Sequence, residues 1–239
     1  MIGYMIGQEL RNRLLPGGEL ATLLTQVCVD PGDSAFDAPD KLIGQVYDQA
    51  EAVRLAAVRG WQVAPDATGW RRVVASPMPL EILQQPVVAI LLDAGVTIIC
   101  TGGGGSPCAR QADGGMTGIE AVVDKDRASA LLAIGLAADA FFLLTDVDVD
   151  AAYVDSGATQ ARSVSRTDTQ SLLEKQDPIF GPAQWDRRYK APSALSCHSS
   201  PIGRLEDACA LPGGSAGTII DTLFDWMLFQ KMSSIGPDE

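Results

Sequence analysis

The most restrictive feature of the sequence is a β-branched apolar run that ends in glycine: residues 96–107 read VTIICTGGGGSP. Residues 96–100 carry no polar alternation, so a strand here is buried on both faces, and such strands belong in parallel sheets covered by helices. A second run of this kind, 140–145, follows a helical pattern over 128–138. Helical patterns also fill 1–15, 46–59 and 80–94, and a strand pattern fills 21–29. Two short strands are expected within 61–74, around the turn Asp66-Ala67-Thr68-Gly69. Helices alternating with such strands predict an α/β chain with a mainly parallel sheet.

In open sheets of this type, ligands sit beyond the carboxyl ends of the strands, where Gly102, Gly103, Gly104 and Gly105 fall. Without Cβ atoms these residues let backbone N–H groups approach an anion and adopt positive φ. A flexible turn is the plainer explanation of four glycines standing alone. Two further polar clusters argue against it: Asp124-Lys125-Asp126 opens the helix at 128–138, and Thr145-Asp146-Val147-Asp148 follows the next strand. Carboxylates in such loops hold magnesium or orient a lysine, and a lysine neutralises charge on a transferring phosphoryl group. Asp126 by itself reads as a helix N-cap. Together the three loops point to chemistry on phosphate.

The 239 residues are 46% hydrophobic and carry a formal charge of −12, which leaves no basic stripe for nucleic acid. The longest apolar segment is interrupted by Asp93 and Gly95, short of the roughly 20 residues a bilayer requires. Residues 1–17 lack the basic start and apolar middle of a signal peptide. The five cysteines form no CxxC pair and their number is odd, so a reduced, cytoplasmic setting is expected.

Several blocks, in order, resemble bacterial carbamate kinases of the amino acid kinase family: MIGYMIGQELRN, LTQVCVDPGDSAF, DKLIG, GWRRVVASPMPLEI, TGGGGSP, GIEAVVDKDRASALLA and LLTDVD. The resemblance runs from residue 1 to about 180 and resumes at 202–208. It implies a three-layer αβα sandwich, a homodimer, and transfer of phosphate between ATP with Mg2+ and carbamate, giving ADP and carbamoyl phosphate, in arginine and nitrogen catabolism. It implies that Gly102, Gly103, Gly104, Gly105 and Lys41 contact carbamate or the phosphoryl group. By the same resemblance, Asp126 orients catalytic lysines and Lys125 lies near the phosphates. Thr145, Asp146, Asp148 and Tyr153 would face the nucleotide. Residues 30–75 resemble a lid or hairpin subdomain on a single domain spanning 1–239, and about 221–239 form a tail foreign to the family.

The departures from the family pattern are equally specific. An initial strand with a GGNA-type phosphate loop and a later GNGPQVG loop find no counterpart, so the chain reads as truncated at its N-terminus. Ser106 and Cys108 replace residues of the IPV that usually follows the glycines. Asp148-Val149-Asp150 reads as a duplicated VD that displaces Tyr153 by about two residues. The family's GSMGPKV block, whose lysine reaches the ATP phosphates, is replaced at 183–195 by AQWDRRYKAPSAL. Codon logic supplies a cause. Read one frame over, Gln184-Trp185 permits Met, Trp185-Asp186 forces Gly, Asp186-Arg187 permits Pro and Arg187-Arg188 permits Lys. Residues 181–201 therefore read as a frameshifted segment, in which Cys197, His198 and the Arg187-Arg188 pair are incidental. Two functions stay open from sequence: an impaired carbamate kinase, or a non-catalytic remnant that retains nucleotide or partner binding.

Overall fold

The computed structural model describes residues 2–13, 18–66 and 68–145, the strands at 163–165, 200–204 and 218–221, and residue 208. The chain packs as two compact units, Met1–Leu132 and Ala133–Glu239. The first runs α1 (Ile2–Arg13), β1 (Leu20–Thr22), β2 (Gln26–Val29), β3 (Lys41–Tyr47), α2 (Gln49–Arg59), β4 (Gln62–Asp66), β5 (Gly69–Val74) and β6 (Pro79–Ile82). It continues through α3 (Gln85–Asp93), β7 (Thr97–Ile99), β8 (Ser106–Arg110), β9 (Met116–Gly118) and α4 (Lys125–Gly135), within which the unit boundary falls. The second unit holds β10 (Leu143–Thr145), β11 (Ser163–Ser165), β12 (Ser200–Arg204) and β13 (Thr218–Asp221), ordered β10-β12-β13-β11. In that sheet β10–β12 and β11–β13 are parallel pairs and β12–β13 is antiparallel.

The strand expected over 21–29 is two strands. β1 pairs in parallel with β7, and β2 pairs in parallel with β8, in separate sheets. Between the pairings Thr22↔Ile99 and Gln26↔Ser106, the first segment advances four residues and the second seven. The excess on the second segment is the glycine loop. Each strand is broken because its partner is, and the chain leaves the loop as another strand rather than as a helix. β8 then turns into β9 through Asp113-Gly114, with Gly114 at φ +85°. This hairpin is absent from the sequence expectations, although the Asp-Gly pair is a recognised hairpin signal.

Prolines correct the helix expected over 80–94. Residues 79–82 pair antiparallel with β2, and α3 begins only at Gln85, with Pro86 in its first turn. Proline lacks an N–H and is tolerated there, whereas further inside it would remove a helical hydrogen bond. Val27, Val29, Ile82 and Val88, at 2% exposure or less, anchor this core, each burial contributing about 1.5–3 kcal/mol.

The helix expected over 46–59 likewise starts later. The Asp48 side chain accepts a hydrogen bond from Glu51 N–H at 2.8 Å, fixing the N-terminus of α2 and leaving Val46 and Tyr47 in β3. Gly60, at φ +65°, closes the other end. Beside α2, β3-β5-β4 form a three-stranded antiparallel sheet, with Ala52, Leu55 and Val73 buried. Asp48→Ala is expected to lower stability by about 1 kcal/mol in urea unfolding, the ordinary cost of losing such a cap.

α1 forms within the helical pattern at 1–15, and glycines make its contact with the sheet. Gly3 and Gly7 face the β1–β7 pair: a Cβ on Gly7 would stand 3.0 Å from Thr22 Oγ1 and one on Gly3 would stand 3.2 Å from Thr22 Cγ2. Missing side chains bring the helix axis close to the sheet, while Ile2, Tyr4 and Met5 remain exposed.

Candidate active site

The loop between β7 and β8 is held from beneath by Thr25, in the gap between β1 and β2. Thr101 donates its N–H to Thr25 Oγ1 at 2.8 Å, and Ser106 N–H donates to the Thr25 carbonyl at 2.8 Å. Thr101 takes the left-handed conformation at φ +51°, which is uncommon for a side-chain-bearing residue. Gly103, Gly104 and Gly105 follow at φ +67°, +92° and +81°. Gly104 N–H donates back to Thr101 C=O at 2.8 Å and Gly105 N–H to Gly102 C=O at 3.3 Å. The N–H groups of Gly102 and Gly103 are left without a backbone partner among the described residues. Gly102, outside the positive-φ region, is followed by the left-handed Gly103, and such a pair with both N–H groups free of backbone partners forms an anion-binding concavity.

The loop is pressed onto the start of α4. A Cβ on Gly104 would overlap the backbone carbonyl of Val123, standing 2.7 Å from its carbon, and one on Gly105 would stand 2.5 Å from Val27 Cγ2. Two of the three sequence-predicted clusters, the glycines and residues 124–126, therefore meet. Thr145 is the last residue of β10, in the second unit. Asp146, Asp148 and Tyr153 lie outside the described residues, as do residues 181–199 of the segment 181–201 read as frameshifted, whose last two residues open β12.

Asp124 is the residue the sequence reading under-weighted. Its carboxylate caps α4, accepting the N–H of Asp126 at 3.0 Å and of Arg127 at 3.3 Å. Asp126, which taken alone reads as the cap, sits instead within the first turn of the helix. The cap belongs to Asp124 because Ala128 N–H bonds its carbonyl, which sets it one residue outside the helix. Asp124 is only 4% exposed and is ion-paired with Lys41, reaching over from β3. Burial works to raise the Asp124 pKa, but the Lys41 hydrogen bond and charge and the two backbone N–H bonds outweigh it and hold the carboxyl below its ordinary value. An aspartate directly before Lys-Asp at a helix start was the available signal; its distant lysine partner was not legible.

Lys125 points outward, with 64% of its side chain exposed, and bonds Asp126 Oδ1 at 2.6 Å. Thus one ammonium group is held in a largely buried ion pair and the other in a solvent-exposed one. Ser76 adds a second overlooked group. It is 5% exposed, and its Oγ has no hydrogen-bond partner among the described residues. Its neighbour Ala75 accepts the Val122 N–H at 3.0 Å, which places Ser76 beside the segment leading to Asp124. A buried hydroxyl without a partner is rare and marks a group that a ligand can satisfy.

Residues 35–185 match the model of the amino acid kinase family. Carbamate kinase from Haemophilus influenzae is 41% identical over 225 residues, spanning 92% of this chain and 70% of that protein. Among solved structures, carbamate kinase from Giardia lamblia bound to citric acid superposes with a TM-score of 0.82 at 35% identity, covering 92% of this chain and 71% of its own. The same Giardia enzyme bound to AMP-PNP superposes at 0.74 with 34% identity, covering 92% of this chain and 72% of its own. The chain belongs to the amino acid kinase family, among its carbamate kinases. The α/β fold expected from its strands is that of these relatives, and the protein is a carbamate kinase-like phosphotransferase. No helix among the described residues is long and apolar enough to cross a membrane.

Proposed function

We propose that this site transfers phosphate between ATP and carbamate, with carbamoyl phosphate as product or, in reverse, as donor, and that turnover in this chain is impaired. The observation that carries the reading is the close seating of Gly104 on Val123, which sets an anion-binding loop beside the Lys41–Asp124 pair and the Lys125–Asp126 pair. In this reading Gly102, Gly103, Gly104 and Gly105 receive carbamate or the transferring phosphoryl group, with Lys41 supplying positive charge from β3. Lys125 neutralises charge that develops on the phosphoryl oxygens, and Asp126 orients it. Phosphoryl transfer depends on positioning and on this kind of charge compensation.

Nucleotide binding is supported by the Giardia relative's AMP-PNP complex, and by the family resemblance Thr145, Asp146, Asp148 and Tyr153 are assigned to it. Among the described residues no three His, Cys, Asp or Glu side chains gather to hold a metal ion. A magnesium ion is assigned to the phosphates of the nucleotide, as is usual for this ion. We further assign the chain to the cytoplasm, as a homodimer of one domain spanning 1–239, with a lid at about 30–75 and an accessory tail at about 221–239.

Binding with little turnover is the reading favoured by residues 183–195, where AQWDRRYKAPSAL stands in place of the lysine-bearing block the resemblance leads one to expect. Calorimetry with freshly dissolved carbamoyl phosphate tests the binding half. Binding is expected in the unaltered chain, and Lys41→Met is expected to weaken it at least tenfold, about 1.4 kcal/mol. Equal affinity in the two proteins would remove Lys41 and the glycine loop from the site.

A further inference from the structure

Cys108 is one of the positions where the sequence departs from its family pattern, and the structure gives it a partner. Cys28 in β2 and Cys108 in β8 are register partners across a parallel strand pair. Side chains at such positions point to the same face, and their Cα atoms are separated by the inter-strand spacing of about 4.8 Å. That separation lies within the range of roughly 4.4–6.8 Å that a disulfide spans. Both residues are buried free thiols, and the two side chains are close enough to hydrogen-bond.

We propose that Cys28 and Cys108 form an oxidisable dithiol, which a small hydroperoxide converts to a disulfide stapling β2 to β8 at the foot of the glycine loop. The thiolate of one cysteine attacks a peroxide oxygen, the O–O bond breaks, and a sulfenic acid forms with release of hydroxide, which takes up the proton the thiol lost. The second thiol then attacks that sulfur; the S–S bond forms, the S–O bond breaks, and water leaves with the remaining proton. Overall two thiols lose two electrons and two protons, and one hydrogen peroxide becomes two waters.

On its other side Cys108 faces Gly118 of β9, a three-residue edge strand exposed along its length, so no side chain of that neighbour shields the sulfur. Short edge elements open locally at low cost, so a molecule the size of hydrogen peroxide reaches Cys108 without global unfolding. Burial pushes the Cys108 thiol pKa up, and the neighbouring Cys28 adds to the shift. Because the thiolate is the nucleophile, the rate is expected to rise with pH through the mildly alkaline range, by close to tenfold per unit. The staple would hold Val27 and Ser106, which border Gly105 and the loop exit, in fixed register.

The test is peptide mapping of the full-length native protein after treatment with hydrogen peroxide at mildly alkaline pH. Expected is a peptide pair joining Cys28 to Cys108, two hydrogens lighter than the sum of its parts and released by dithiothreitol. It should vanish in Cys28→Val and in Cys108→Val and persist in Cys100→Ala. Native unaltered protein gives the answer even where a valine variant fails to fold. Recovery of Cys28 and Cys108 as free thiols after Cys100, Cys197 or Cys209 has reacted would overturn the proposal. So would sulfinic acid on either cysteine without the linked pair.

Discussion

Gly104→Ala is expected to destabilise the first unit by about 3 kcal/mol or more, whereas Gly102→Ala is expected to change stability by less than about 0.5 kcal/mol. The contrast follows from geometry. A Cβ on Gly104 meets the Val123 backbone carbonyl, which cannot swing aside as the end of a flexible side chain could, and φ at +92° strains any L-residue. A Cβ on Gly102 meets nothing within 4 Å, and its backbone is not in the positive-φ region. Equilibrium urea unfolding of the two variants checks the difference. Equal stability would mean that the loop does not seat on Val123.

Removing the Asp124 carboxylate is expected to be at least as costly. Asp124→Ala takes the cap from α4, worth about 1 kcal/mol, and leaves the Lys41 ammonium largely buried without its counter-ion, a loss on the order of 3 kcal/mol. Asp124→Asn keeps a capping oxygen and should lose only the second contribution. Pairing it with Lys41→Met removes both charges and should recover part of the loss, so the double-mutant cycle gives a coupling energy for the pair. The same pair fixes a pH dependence. Because the folded pKa of Asp124 lies below its unfolded value, its contribution is fully present above about pH 4 and is lost as pH falls through the folded pKa. Acid titration of stability should therefore be shallower in Asp124→Asn over that window.

Local chemistry was legible in the sequence, and long-range partnership was not. The glycine loop could be read because a buried β-branched run breaking into glycine has few structural uses, and three of the four glycines do require positive φ. The two short strands within 61–74 were equally local, and they are β4 and β5, paired antiparallel. The Lys41–Asp124 pair was hidden because its members are 83 residues apart and only the folded sheet joins them. Residues 79–82 were misread because an apolar run does not by itself distinguish a strand from the start of a helix; Pro86 decides the boundary. α1 was legible as a helix within 1–15, but its packing face was not. Its contact face is made of glycines, which carry no hydrophobic signal, so the apolar periodicity marks the exposed side.

ATP formation from ADP and carbamoyl phosphate is the most direct measurement of the central claim. With magnesium present, the purified chain is compared with Asp126→Ala, prepared identically to reveal any contaminating kinase. Expected is carbamoyl phosphate binding in the calorimeter together with ATP formation no greater than that of the Asp126→Ala control, because charge compensation at the transferring phosphate is incomplete without the lysine-bearing block. Turnover at the ordinary kinase rate of about 1–100 per second, abolished by Asp126→Ala, would confirm the roles given to the site and contradict its impairment.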